Sequence, residues 1–333
     1  MGVITLPNRV HRTHTHLVAC CFALALLGLW CARSLLAEVW TLAALPLIWW
    51  NNADQFLISA RVDDFDITFA NYSIHQVSAA PLDDRIPPVI HHVAMGAGAA
   101  DHTNRWKDVR QSCIDMHPEW EAYLWTDETA DTFVANYYPE LYAMWRGYRY
   151  PIQKIDALRY MVLYHYGGVI LDMDLQCKRA LGPLRRFDFV APAAHPTGFS
   201  VGFMMASKKN EFVGALVRDL QRYNKHWLWL PYPTVMFSTG CHYASMIHAY
   251  QRNRSELKIL AGTGDNFKLH SLNGRVSTPI FDHLGSSSWH SYDAAMIVKL
   301  GKSKSWRTPV LLVAGVGIAF FVMKKTRRRR LRV

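Results

Sequence analysis

Val169-Ile170-Leu171-Asp172-Met173-Asp174 is a short β-branched and aliphatic run that ends in two carboxylates one residue apart. Such a run reads as a buried strand. Period-two geometry sends Asp172 and Asp174 to the same side where the strand leaves the sheet. That edge is where ligands bind in open α/β sheets. Two facing carboxylates repel, and they are costly unless a cation lies between them. A hard divalent ion, Mn²⁺ or Mg²⁺, suits an oxygen donor set and can also hold a diphosphate. Immediately upstream, Ile152–Tyr166 has helical spacing and stops at Gly167-Gly168. Asp156 and Arg159 are three apart on that helix and share a face. The helix therefore brings a hydroxyl-binding carboxylate and a guanidinium suited to bidentate phosphate contacts to the metal-binding strand.

Outward from this point, strands and helices alternate. Val89–Val93 reads as a strand after Pro87-Pro88, and 105–116 as a helix ended by His117-Pro118. Tyr123–Trp125 reads as a strand, and Thr126-Asp127-Glu128-Thr129 as a helix N-cap. Phe203–Ala206 is a further strand and 211–225 a further helix. The alternation predicts an α/β domain with a largely parallel sheet. His91 and its neighbour His92, with Trp125 and Asp127, are candidates to frame a nucleotide. Gly285-Ser286-Ser287-Ser288-Trp289-His290 looks like a closing loop. In it Trp289 would cover the donor and His290 would be a third metal ligand.

The chain has 333 residues and a formal net charge of +11, seven charges of which sit on the tail from Lys324 to Arg332. The remainder is near +4, so the excess sits mostly on one terminal run, which argues against a nucleic-acid surface and for a topological role of the basic tail. Six cysteines include no CxxC pair, so a zinc site is not expected. Cys113, Cys177 and Cys241 allow at most one disulfide among themselves.

Two apolar runs predict N- and C-terminal transmembrane helices. The expected order is a cytosolic 1–16, an anchor at 17–50 (span about 17–37) and a lumenal stem at 51–85. A catalytic domain follows at 86–297, then a linker at 298–308, a membrane helix at 309–323 and a basic cytosolic tail at 324–333. Basic flanks on both sides put both termini in the cytosol and the domain in the lumen. The short spans favour Golgi or early secretory membranes. The sequons at Asn71 and Asn253 are compatible with that placement.

On these residues the chain resembles the DxD-containing glycosyltransferase family 32, and within it the fungal inositol phosphorylceramide mannosyltransferases. The resemblance spans about 86–293. It is carried by Ile86-Pro87-Pro88-Val89-Ile90-His91, His117-Pro118 with Leu124-Trp125-Thr126-Asp127, and Tyr150-Pro151-Ile152. It continues through Asp156-Ala157-Leu158-Arg159-Tyr160, Tyr166-Gly167-Gly168-Val169, Asp172-Met173-Asp174, Ser238-Thr239-Gly240, and Gly285 to His290 with Asp293. The resemblance implies a GT-A-type, Rossmann-like mixed sheet, Mn²⁺, GDP-mannose as donor, and transfer with retention to the inositol head group of inositol phosphorylceramide. It also implies a membrane regulatory subunit. Asp172 and Asp174 would serve metal and diphosphate, Asp156 and Arg159 donor sugar and phosphate, and Trp289 and His290 would close the site. Ser200-Val201-Gly202, Cys241 and His92 depart from the family pattern near the expected pocket. Those departures motivate one alternative, a non-catalytic regulatory subunit. A second is a related transferase with another sugar or acceptor. A haloacid-dehalogenase-like phosphatase also carries a strand and DxD, but there the motif opens the domain.

Overall fold

Gly167 and Gly168 make the turn on which the fold depends, with φ of +72° and +93°. A Cβ on Gly167 would meet the Lys208 amide nitrogen at 2.7 Å, and one on Gly168 would meet the Val89 carbonyl oxygen at 2.5 Å. Only glycine allows a helix to stop and feed straight into a strand there. The computed structural model describes residues 33–66, 75–78, 82–96, 106–195, 197–227, 230–262, 264–285 and 293–294, with isolated positions between 21 and 30.

Strand β1 is Val89–Val93, β2 Glu121–Trp125, β3 Gly168–Leu171 and β4 Leu175–Cys177. They are followed by β5 (Phe189–Pro192), β6 (Phe203–Ala206), β7 (Leu257–Leu260), β8 (Val276–Ser277) and β9 (Phe281–His283). The longer helices are α1 (Lys107–Asp115), α2 (Asp127–Tyr137), α3 (Pro139–Arg146), α4 (Pro151–Tyr166), α5 (Glu211–Tyr223), α6 (Pro231–Ser238) and α7 (Cys241–Ala249). A six-stranded sheet runs β2-β1-β3-β6-β5-β7, and a three-stranded sheet runs β4-β9-β8.

The main sheet is mixed. β1 lies parallel to β2 and β3, and β5 parallel to β7, while β6 is antiparallel to both its neighbours. The expectation of a largely parallel sheet holds for the half that carries β3. β3 is buried at all four residues, as a central strand covered on both faces must be. Its side chains alternate: Ile170 joins the apolar cluster under α4 and α5, and Val169 and Leu171 join the opposite one.

Helix α4 starts at Pro151, where a missing N–H costs nothing. The Gln153 side chain accepts from the Tyr150 N–H at 3.2 Å and closes the first turn. A reciprocal cap between Thr126 and Thr129 starts α2. A disulfide joins Cys113 of α1 to Cys177 of β4 and so ties the two sheets' flanks together.

The expected N- and C-terminal transmembrane helices need correction. Among the described residues no helix is long and apolar enough to cross a membrane. The physical reason on the N-terminal side is that Leu42, Leu45 and Trp49 turn inward and pack in the same cluster as α4 and α5. Glu38 is buried and paired with Lys225. The 309–323 run and most of 17–32 lie outside the described residues. Residues 53–65, read from sequence as stem, lie on the body: Phe56 and Ile58 are buried, and Leu57 bridges Ile259.

Candidate active site

The site forms where α4, the end of β3, the 199–202 turn and β9 meet. The strand ends at Leu171, and residues 172–174 turn rather than extend, with the Leu175 N–H donating to the Asp172 carbonyl at 3.2 Å. The two carboxylates therefore meet different partners. Asp172 is bound by the Arg159 guanidinium through Nη2. Asp174 lies 3.4 Å, Oδ2 to Nε2, from His283 on β9.

Arg159 is the hub. Its Nε lies 3.8 Å from Asp156 Oδ1, and its Nη1 donates to the Val201 carbonyl at 3.5 Å. Asp156 in turn accepts from the Thr239 hydroxyl at 3.1 Å. The Tyr160 hydroxyl donates to the Thr239 carbonyl at 2.5 Å, which fixes the Ser238-Thr239-Gly240 turn over the helix. Asp156, Arg159 and Asp174 are buried, whereas the Asp172 side chain is 32% exposed.

Burial pushes Asp156 up to about 7 against the opposing pull of Arg159. Burial also raises Asp172, with Arg159 opposing and Asp174 adding like-charge repulsion. For Arg159, burial acts downward, but the two carboxylates outweigh it and hold it charged. For His283, burial again acts downward, and the hydrogen bond and charge of Asp174 outweigh it, so its net shift is upward. Arg159 thus counters both Asp156 and Asp172, and the His283 ring faces Asp174.

Three observations test whether a divalent cation and a diphosphate fit. A Cβ on residue 202 would meet Asp172 Oδ2 at 2.5 Å, so glycine at that position leaves the carboxylate its space. Arg159 Nε is buried with no hydrogen-bond partner among the described residues, a donor left over for an anion. Both acidic ligands offer hard oxygen. Among the described residues no three His, Cys, Asp or Glu side chains converge as a closed metal cage. Two carboxylates with an open remainder suit an ion that shares its shell with substrate phosphates and water.

Other sequence candidates lie elsewhere. Trp125 Nε1–H donates to His91 Nδ1 at 3.3 Å, so the proton of His91 is on Nε2, which donates to the Gly167 carbonyl at 3.1 Å. Both rings are buried, and Trp125 packs on Phe133 at 4.9 Å. Asp127 is exposed at the start of α2 and accepts from the Gly96 N–H at 2.9 Å. His91 and Trp125 are thus joined across β1 and β2, while Asp127 holds the backbone just after β1. Trp289 and His290 lie outside the described residues.

Sequence reading missed His283 and gave the Thr239 hydroxyl no role, while Cys241 stood there as a departure near the expected pocket. Burial pushes Cys241 up to about 11, and it feels Asp156, Asp172 and Arg159. Thr239 stood in the quoted Ser238-Thr239-Gly240 stretch, a usable signal; no local pattern marked His283.

A buried Asp-x-x-Arg helix face thus meets two carboxylates just past the end of a central strand of a mixed α/β sheet. The description "Glycosyltransferase sugar-binding region containing DXD motif" matches residues 103–190. Mannosyl phosphorylinositol ceramide synthase SUR1 of Saccharomyces cerevisiae is 34% identical over 74% of this chain and 61% of its own length. Inositol phosphoceramide mannosyltransferase 2 of Schizosaccharomyces pombe is 30% identical over 75% of this chain and 69% of its own. Inositol phosphoceramide mannosyltransferase 1 of the same yeast is 28% identical over 91% of this chain and 95% of its own. The chain belongs to this family of DXD-containing glycosyltransferases. It spans 61% of the length of the first of these relatives. The solved PaToxG glycosyltransferase superposes at TM-score 0.38 and 16% identity over 52% of this chain and 73% of its own, too slight a likeness to argue from.

Proposed function

We propose that this protein is a metal-dependent retaining mannosyltransferase. It takes mannose from GDP-mannose and delivers it to the inositol head group of inositol phosphorylceramide. The observation that carries the reading is the Asp156–Arg159–Asp172 chain, buried at Asp156 and Arg159, beside Asp174. The activities for which the relatives are named support the sugar and the acceptor.

Mn²⁺, or Mg²⁺ in its place, would be held by Asp172 and Asp174, and when bound it neutralises charge on the departing diphosphate. Arg159 would contribute a fixed guanidinium to the same oxygens, through the Nε that makes no hydrogen bond among the described residues. Asp156, held by the Thr239 hydroxyl, orients a sugar hydroxyl. In the transfer, the bond from the sugar's anomeric carbon to the diphosphate oxygen breaks and a bond from that carbon to the inositol oxygen forms. The inositol hydroxyl's proton goes to the departing diphosphate oxygen. This front-face course agrees with the engagement of Asp156 and Asp172 by Arg159, which leaves neither as a free nucleophile. The Cys113–Cys177 disulfide supports a placement in the oxidising lumen of the Golgi or early secretory pathway. A membrane regulatory subunit belongs to the same reading.

The test is transfer from radiolabelled GDP-mannose to inositol phosphorylceramide in membranes that express the chain, with Mn²⁺ and with a partner subunit supplied. The wild type is expected to yield mannosylated lipid. The double variant Asp172→Ala/Asp174→Ala should lose roughly 10³-fold or more of that rate, the scale set by several kcal/mol of lost charge stabilisation. Absence of product from the wild type with every nucleotide sugar tried would sink the assignment.

A further inference from the structure

We infer that His283 is a positioning residue for Asp174, and that through it the small sheet controls how tightly the site holds a divalent cation. This rests on the proposed metal role of Asp172 and Asp174, and it adds a residue outside the DXD stretch. Three features carry it. His283 is the last residue of β9, and its Nε2 lies 3.4 Å from Asp174 Oδ2. β9 pairs antiparallel with β4, the strand that begins one residue after Asp174, and puts His283 opposite Leu175. The backbone closes the same junction, since the Leu284 N–H donates to the Asp174 carbonyl at 3.0 Å.

Asp174 is therefore gripped at both its side chain and its main chain by consecutive residues of one strand end. The His283 side chain is only 15% exposed, so its ring is held by packing as well. A carboxylate with one oxygen engaged by an imidazole presents its other oxygen in a fixed direction. That is the service an outer-shell partner performs for a metal-binding carboxylate. No geometry routes the imidazole itself onto the ion: among the described residues no three ligating side chains converge. Asp172 is engaged by Arg159 from α4 instead. The two aspartates thus differ in kind. One is oriented by a neutral-capable ring on a separate sheet, and the other is neutralised by a permanent cation from α4.

The experiment compares full-length wild type with His283→Ala and His283→Gln, reading Mn²⁺ binding by the loss of the free-ion electron paramagnetic resonance signal, with and without GDP. Thermal unfolding of the metal-free proteins runs alongside. The amide nitrogen of Gln can take the place of Nε2; Ala has nothing to offer there. The expected result is a Mn²⁺ dissociation constant raised about 10–100-fold in His283→Ala, the span seen for lost outer-shell partners. In His283→Gln it should return to within a few-fold of wild type. An Ala variant that folds and binds Mn²⁺ like wild type overturns the proposal, as does a Gln variant no better than Ala at an equal melting temperature. A folded wild type that binds no Mn²⁺ even with GDP overturns the metal reading and this inference together. Tight wild-type binding with an unmoved Ala variant removes this inference alone.

Discussion

Two strands in this molecule each present a histidine beside polar partners, β1 at its middle and β9 at its end, and the two behave oppositely. At β1, His91 has both ring nitrogens spent, one on the Trp125 indole and one on the Gly167 carbonyl. Burial pushes it down to about 4, so it stays neutral. At β9, His283 faces a carboxylate, and its net shift is upward. The first histidine locks the Gly167-Gly168 turn that launches β3. The second touches the aspartate that follows β3. The same side chain is a structural bolt in one place and a site residue in the other, and the partner decides which.

The comparison breaks most sharply on the site's side. Arg159→Met removes the cation between Asp156 and Asp172 and leaves two carboxylates facing each other. Transfer is expected to fall by about 10²–10³-fold, as for other lost preorganised charges. Stability should fall by up to about 3 kcal/mol, the low end for a broken buried pair, because Asp172 is 32% exposed. Urea unfolding with a parallel transfer assay reads both, and an unchanged rate would count against Arg159 as part of the reacting site.

On the β1 side the effect is smaller and of another kind. Trp125→Phe deletes one hydrogen bond to His91 and keeps most of the packing on Phe133. A loss of about 1–2 kcal/mol is expected. The transfer rate at temperatures well below the melting point should stay within a few-fold of wild type. A large fall in the rate at unchanged stability would move Trp125 into the binding site and erase the distinction.

The gentlest probe is pH. His91 and His117 are held near 4, and His92 and His248 near 3, in each case chiefly by burial. Their unfolded counterparts titrate near 6.5. Between those values the unfolded chain binds more protons than the folded one, so stability rises with pH there. The contribution is complete above about 6.5 and is lost as pH falls toward 4 and 3. Melting temperatures should drop progressively from pH 6 to 4.5, where the four rings outweigh the opposite effect of the raised Asp156 carboxyl. A flat profile across that lower window would contradict the neutral, buried state of these rings.

Much of the frame was legible because it is local. The Val89–Val93 strand, the Thr126 cap, the α4 helix and the Phe203–Ala206 strand each follow from spacing and end signals within a dozen residues. The shared face of Asp156 and Arg159 is likewise a property of one helix. Two kinds of feature escaped. Short buried strands such as Phe189–Pro192 and Leu257–Leu260 are apolar without a period and look like any core segment. The inward turn of Leu42, Leu45 and Trp49 was read as membrane anchor, because a run buried in protein and a run buried in lipid have the same composition.

The sequence by itself determined the DXD strand, its glycine-gated entry from α4 and the Asp-x-x-Arg pair, since all of them lie within one helix–turn–strand unit. Only the tertiary structure decided which of three central cysteines pair, that β6 enters the sheet antiparallel, and that His283 meets Asp174. Those contacts join segments far apart in the chain. Their energy comes from burial and register in the folded sheets, and no local pattern encodes it.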